Sequence, residues 1–497
     1  MQVTAKLRSI GTVVFMMALS GMFMSSASAQ SFRVQCPDTT PLHPTASDTA
    51  NGSIKCQHIA GSDGYATMGD GHQIYLFGFA PLSGLGDPTA AVPVPGILIG
   101  QPGTETPDVF KSSTDVRRAR TEPADMMNNG VLYANAPAPM IAIDEDDELF
   151  LTLSNVGMIM RPDLFEQHTV HFHGYPNASS FFDGVPDASV AINIAGSFTY
   201  YYTAPDAGTY FWHCHIAPPE HLQMGMVGQI FVRPRQNRVP SNASLYDALR
   251  ASNARNRGLV SDNSSSACSD LLCTGATPLP AVNTGATGGG MYAYNDGDGT
   301  TRYDYDVPIQ MMGFDPNFHF VGMTFNREAF ADMKDKYFML NGRSYPDTIK
   351  TSFDNTLTAG INGSPVPNGP MTTQGSDGAD RPSQPLHSLV TIDKTNGKTR
   401  ALLRISDLSV TEHSTLATVG IPMQVIAQNA RLLRDMDGNN LYYNTNSITL
   451  GGGESIDVIL DATNVPNGTY FLYSTNLDHL SNDAENFGGM MTEIVVQ

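Results

Sequence analysis

Between Gly208 and Val232 the chain reads GTYFWHCHIAPPEHLQMGMVGQIFV, and between His168 and Gly174 it reads HTVHFHG. These two stretches restrict the fold more than any other feature. In an extended strand, residues at i and i+2 share one face and the residue between them points to the other. His213-Cys214-His215 on a strand therefore turns a thiol to one side and two imidazoles to the opposite side. His171 and His173 form a second pair of the same kind. One thiolate, two imidazoles and a distant thioether make the donor set of a type 1 copper site. His168, Cys214 and His221 supply the trigonal ligands and Met226 the axial one. His171, His173, His213 and His215 remain for a second metal site behind the strand. The bland alternative is a set of satisfied core histidines around a structural thiol.

The spacing His171-Phe-His173-Gly174 with His213-Cys214-His215…His221…Met226 resembles the multicopper oxidase (laccase-like) superfamily in its two-cupredoxin-domain form. The interval from Cys214 to His221 is two residues longer than that family's usual one. The resemblance implies a type 1 copper fed by a small-molecule or metal-ion electron donor, and further type 2 and type 3 coppers that reduce O2. It also implies an acidic residue near the cluster, for which Asp183 stands at the right spacing; an ordinary Asp-Gly turn is the alternative. Two-domain relatives form homotrimers that set the first domain of one subunit against the second domain of the next, so a homotrimer is expected here.

Lys6 and Arg8, an apolar run from Val13 to Met24 and the Ala27-Ser28-Ala29 site read as a cleavable secretory signal over 1–29. The run is too short to span a bilayer, so secretion or periplasmic export is expected. A net charge of −20 argues against nucleic acid and anionic membranes. Of five cysteines, Cys214 is assigned to copper. Cys36 with Cys56 and Cys268 with Cys273 then make two bridges suited to an oxidising compartment, metal ligation being the other use for them.

Along the chain, Leu149, Leu151 and Leu153 alternate with Phe150, Thr152 and Ser154, and Thr399 to Leu408 reads as another strand. Such runs, punctuated by Gly, Pro, Asn and Asp, predict an all-β fold of two cupredoxin-like Greek-key β-sandwiches. Short helices are expected around Leu245 to Asn256 and Arg327 to Lys336. The expected units are an N-terminal extension at 30–122 that feeds the first sandwich, the copper-binding domain at 123–240, a linker region at 241–300 centred on Gly285 to Thr300, and a second domain at 301–497.

Gly208-Thr-Tyr-Phe-Trp-His-Cys-His returns as Gly468-Thr-Tyr-Phe-Leu-Tyr-Ser-Thr, His221 as His479 and Gly225-Met226 as Gly489-Met490. One unit has been duplicated and its ligands lost, because Ser474 cannot provide a thiolate. Upstream, HTVHFHG is answered by His413 to Gly420, with one histidine. With two His-x-His pairs where the family uses four, His413 and His479 are the candidates to complete a cluster.

The expected function is that of an exported copper oxidoreductase. A nitrite-reductase-like enzyme is a second reading, although its H-x-x-D-x-H pattern here has His171 in place of the Asp. A non-catalytic type 1 copper carrier is a third.

Overall fold

The computed structural model describes residues 34–44, 52–82, 109–110, 127, 130–174, 179–204, 206–238, 291–324, 329–354, 356–359, 365–367, 369–374, 380–435 and 437–497. Two β-sandwiches of matching topology pack side by side. In the first, β1 (Ile54–Thr67), β2 (Gln73–Pro81), β4 (Glu148–Gly157) and β6 (Ser197–Thr203) lie in the order β2-β1-β4-β6. Facing them, β3 (Ile141–Asp144), β5 (His171–Phe172), β7 (Gly208–His213) and β8 (Val227–Arg233) lie in the order β3-β8-β7-β5. The N-terminal extension thus supplies the two strands β1 and β2, with β1 running parallel to β4.

The second sandwich repeats this plan. β9 (Tyr305–Phe314), β10 (Tyr337–Leu340), β12 (Arg400–Asp407), β14 (Met423–Gln428) and β16 (Ser455–Asp461) form β10-β9-β12-β16-β14. β11 (Val390–Ile392), β13 (Ser414–Val419), β15 (Ser447–Leu450), β17 (Gly468–Ser474) and β18 (Met491–Val496) form β11-β18-β17-β13-β15. β9 and β12 run parallel, as β1 and β4 do.

The alternation along β4 sets its inward face. Leu149, Leu151 and Leu153 are buried in a core with Phe77, Tyr200, Tyr202, Trp212 and Cys214. Thr152 and Ser154 on the other face are also buried, and bond Thr199 Oγ1 (2.8 Å) and His58 Nε2 (2.9 Å). A separate apolar layer joins the sandwiches, with Leu76, Phe211 and Val227 meeting Met312, Phe314 and Leu408. Polar ties reinforce it: Gln229 donates to Arg404 O (3.1 Å) and Ser406 Oγ (2.7 Å), and Thr209 Oγ1 donates to Asp457 Oδ1 (2.7 Å).

Two expectations meet a different outcome, and the Cys36–Cys56 pairing is met. Within the described part of the Gly285–Thr300 stretch, residues 291–300, Met291 to Tyr294 is buried against Tyr303, Leu402 and Ile459 instead of running free, because MYAY carries enough apolar surface to dock. Among the described residues of the Arg327 to Lys336 stretch, 329–336, the chain makes a single 3-10 turn, Phe330–Asp332, too short a run for an α-helix to nucleate. Cys36 and Cys56 are bridged, with Cα atoms 5.8 Å apart. Residues 1–29, Leu245–Asn256, Cys268 and Cys273 lie outside the described residues. Among the described residues no helix is long and apolar enough to cross a membrane.

Candidate metal centre

β7 ends at His213, and the chain then runs through Cys214 into a one-and-a-half-turn helix, α1 (Pro218–Gln223), which carries His221 back over the sulfur. Ala217 takes φ +37° to start that helix, with Pro218 and Pro219 as its first residues. His221 Nδ1 lies 3.3 Å and His168 Nδ1 4.0 Å from Cys214 Sγ, and all three side chains are fully buried. The backbone N–H of Thr169 also points at the sulfur (3.4 Å). Met226 is buried in the same core, and its carbonyl accepts from Cys214 N (3.1 Å).

Burial opposes ionisation of Cys214, but the charge on His221 and the hydrogen bonds from His168 and His221 pull the thiol well below its ordinary value. Burial alone would lower His221; the neighbouring sulfur instead lifts it to about 10. A buried thiolate facing two imidazole nitrogens is the donor set a soft cation takes, and ligand thiols must give up their proton to bind. The residues therefore fit copper.

The second cluster lies on the other side of the Cys214 backbone. His171 on β5 pairs directly with His213 on β7, and His173 N donates to Phe211 O (2.8 Å). Each ring is anchored at Nδ1: His171 to Asp183 O (2.7 Å), His213 to Cys214 O (2.6 Å), and His173 to the backbone of Gly453. A carbonyl only accepts, so in each ring Nδ1 carries the proton and Nε2 presents a bare lone pair. The Nε2 atoms of His173 and His213 then face each other at 3.0 Å. Two lone pairs at that distance repel unless a cation sits between them. Burial lowers His173 and takes His213 down to about 3, so both stay neutral and ready to ligate. His171, His173 and His213 could together hold one ion. His215 stacks on His213 (5.5 Å) and meets the edge of His171 (4.9 Å), at the rim of the group.

Asp183 reaches the cluster through its main chain, with its carboxylate Oδ2 3.5 Å from His171 Nδ1 and 41% of its side chain exposed. Gly184 (φ +82°) presses this turn onto β5, where a Cβ would fall 1.9 Å from Val170 O.

The second domain overturns one register and explains another. Ala417 pairs with Tyr473 as His171 pairs with His213, so Ser414, not His413, stands where His168 stands. His413 is one residue out of step and lines a cavity of about 650 Å³ between the domains, with His173, Glu412 and Glu454. His479 does not reach the four-histidine cluster. It is buried, stacked on Phe338 (3.9 Å), with Nδ1 3.2 Å from Ser474 Oγ and Nε2 3.2 Å from Glu412 Oε2. The first domain has the same contact, with Glu166 Oε2 3.7 Å from His221 Nε2. Sequence reading missed Glu166, although Glu412 precedes Ser414 by the same two residues and the repeat would have exposed it. It also missed Gly453, whose role depends on how the domains meet.

Two family models described as multicopper oxidase match residues 115–237 and 334–493, together more than half of the chain. The chain is 33% identical over 104 residues to a laccase of Aspergillus fumigatus, a match covering 20% of this chain and 16% of the relative. It is 29% identical over 140 residues to a multicopper oxidase of Talaromyces pinophilus, covering 27% and 22% respectively. These matches thus take in well under two thirds of the relatives' own length. The fold is similar to that of a blue copper oxidase from Nitrosomonas europaea (TM-score 0.50, 16% identity, 89% of this chain and 85% of that one). It is also similar to the multicopper oxidase mgLAC (TM-score 0.51, 15% identity, 90% and 87%), which places both sandwiches in the cupredoxin architecture.

Proposed function

The chain belongs to the multicopper oxidase superfamily, a copper-binding family, and from that premise we propose that it is an exported copper oxidase. In this reading His168, Cys214, His221 and Met226 would hold a type 1 copper able to accept single electrons from a phenolic or metal-ion donor. His171, His173, His213 and His215 would hold the copper that supplies the reduction of O2. One observation carries the reading: the Cys214 sulfur and the His213 ring belong to adjacent residues, and the Cys214 carbonyl holds His213 Nδ1 at 2.6 Å. The two donor sets are therefore joined by a few covalent bonds and one hydrogen bond. Bound copper supplies the one-electron chemistry that no protein side chain of this set provides.

The chain's own residues do the rest. His168 and His221, buried with Cys214 in the first core, help keep water from the sulfur. The three Nδ1 anchors hold the rings with their Nε2 atoms converging, so that little is left to reorganise. Asp183, half in solvent and beside His171, is placed to pass protons from water toward the cluster.

Copper analysis with optical and EPR spectra tests this. About three or four ions per chain, an intense blue band and O2 consumption with a phenol or a Mn²⁺ or Cu⁺ donor are expected. A copper-free protein after loading overturns the reading. One observation favours the carrier alternative: the second domain has Ala417, Val419, Tyr473 and Thr475 at the positions of the four cluster histidines. A single copper per chain with no O2 turnover would establish that alternative. Sedimentation of the loaded protein tests the homotrimer.

A further inference from the structure

His221 is fully buried, so no donor can touch the imidazole edge from solvent. A row of rings does reach it. Phe77 meets His221 edge to face with centroids 6.0 Å apart, Tyr75 meets Phe77 at 5.7 Å, and Tyr65 meets Tyr75 at 5.7 Å. All three separations lie in the ordinary range for packed aromatic pairs. Tyr65, partly exposed, ends the row at a cavity of about 300 Å³ lined also by Tyr75, His72, Phe320, Met323 and Tyr337.

Core packing accounts for aromatic rings on β2; it does not account for what Tyr75 bonds. Tyr75 is buried, and its hydroxyl donates to Asp63 Oδ2 (3.1 Å), whose other oxygen, also buried, has no hydrogen-bond partner. A phenol can lose an electron under mild conditions only if its proton has somewhere to go. Asp63 is such an acceptor within hydrogen-bond reach. Burial raises its affinity for a proton above that of an ordinary carboxylate.

We propose that the cavity between β2 and the Pro316–Gly322 helix is a binding site for a small phenolic donor, and that Tyr65, Tyr75 and Phe77 conduct its electron to the copper held at His221. The site rests on the reading of Cys214 as a copper ligand and names the donor class. The balance is simple. Tyr75 gives one electron inward through Phe77, reducing cupric copper to cuprous, and its phenolic proton moves to Asp63 Oδ2. The bound phenol then gives one electron to Tyr75, which takes its proton back from Asp63. The donor's own proton leaves to water at the exposed His72 edge, and the product is an aryloxyl radical. The lining suits a neutral aromatic molecule: rings and a thioether make most of the wall, Gln73 and Asp483 add polar groups, and the Asp483 carboxylate together with the acidic chain repels anions.

Two measurements test this. Calorimetric titration of the copper-free full chain with 2,6-dimethoxyphenol is expected to show one saturable site, abolished in Met323→Trp, which fills the cavity. Absent binding, or equal binding by the variant, overturns the pocket. In the copper-loaded chain, Tyr75→Phe keeps the ring but not the hydroxyl. Anaerobic bleaching of the blue band by the same phenol is expected to slow about tenfold, while bleaching by hexaammineruthenium(II), which is not aromatic, keeps its rate. An unchanged phenol rate, or equal slowing with both reductants, overturns the relay. A wild-type chain without a blue band counts instead against copper at Cys214, and the copper-free titration still decides the pocket.

Discussion

The two sandwiches hold the same pocket with different atoms in it. Cys214 N bonds Met226 O at 3.1 Å and Ser474 N bonds Met490 O at 2.9 Å; Met226 N and Met490 N each bond the carbonyl of the preceding histidine, His221 or His479, at 2.8 Å. His221 sits 3.3 Å from a sulfur and His479 3.2 Å from a hydroxyl, each with a glutamate at its far nitrogen. The scaffold has been kept and the ligand exchanged. The two pockets differ in what they lack. A buried Ser–His pair satisfies itself with one neutral hydrogen bond. A buried thiolate with an imidazolium is a pair of charges in a dry core, and such a pair returns its desolvation cost poorly. The first pocket is thus built at a cost that a bound cation offsets, and metal affinity there is partly folding energy.

Making the first pocket like the second should have the largest effect. Cys214→Ser is expected to abolish the blue band and to cut turnover with a phenol at least about a thousandfold. The metal-free melting temperature should stay within about 4 °C of wild type. A collapse of the fold would show that the sulfur is structural, and the comparison would break.

Next comes His213→Ala, which removes one of the two facing lone pairs but leaves the sulfur untouched. O2 consumption should drop about a thousandfold while the blue band persists, as spectra of the same sample will show. Loss of both signals together would mean that the two donor sets are one site. Asp183→Asn is expected to lower O2 turnover by roughly tenfold to a hundredfold, with copper content unchanged by elemental analysis.

The reverse conversion sharpens the comparison further. Ser474→Cys with Ser414→His should add a copper and a second thiolate absorption band, at a metal-free cost of about 1–3 kcal/mol for the added volume. Denaturant titration measures that cost. The smallest effect belongs to Glu412→Gln. Its carboxylate is 42% exposed, so the contact to His479 should contribute no more than about 1 kcal/mol, and the blue band should be indifferent to it.

The division between chain and fold follows from the range of the interactions involved. Strand alternation and the His-x-His and His-Cys-His spacings are local. A period of two settles which side Cys214, Leu151 or His213 faces wherever the strand lies, so the sandwich class, the separation of the sulfur from the imidazole pairs and the duplication could be read directly from the sequence. The register of the second domain could not. His413 looked like the survivor of HTVHFHG because spacing alone tolerates a one-residue slip, and only the cross-strand pairing of Ala417 with Tyr473 shows that Ser414 holds the position. Burial of Met291 to Tyr294, the Gly453 anchor on His173 and the ring path from Tyr65 to His221 likewise needed the tertiary structure. Each joins residues far apart in the chain, and no local pattern encodes a contact whose geometry depends on how separate strands and domains pack together.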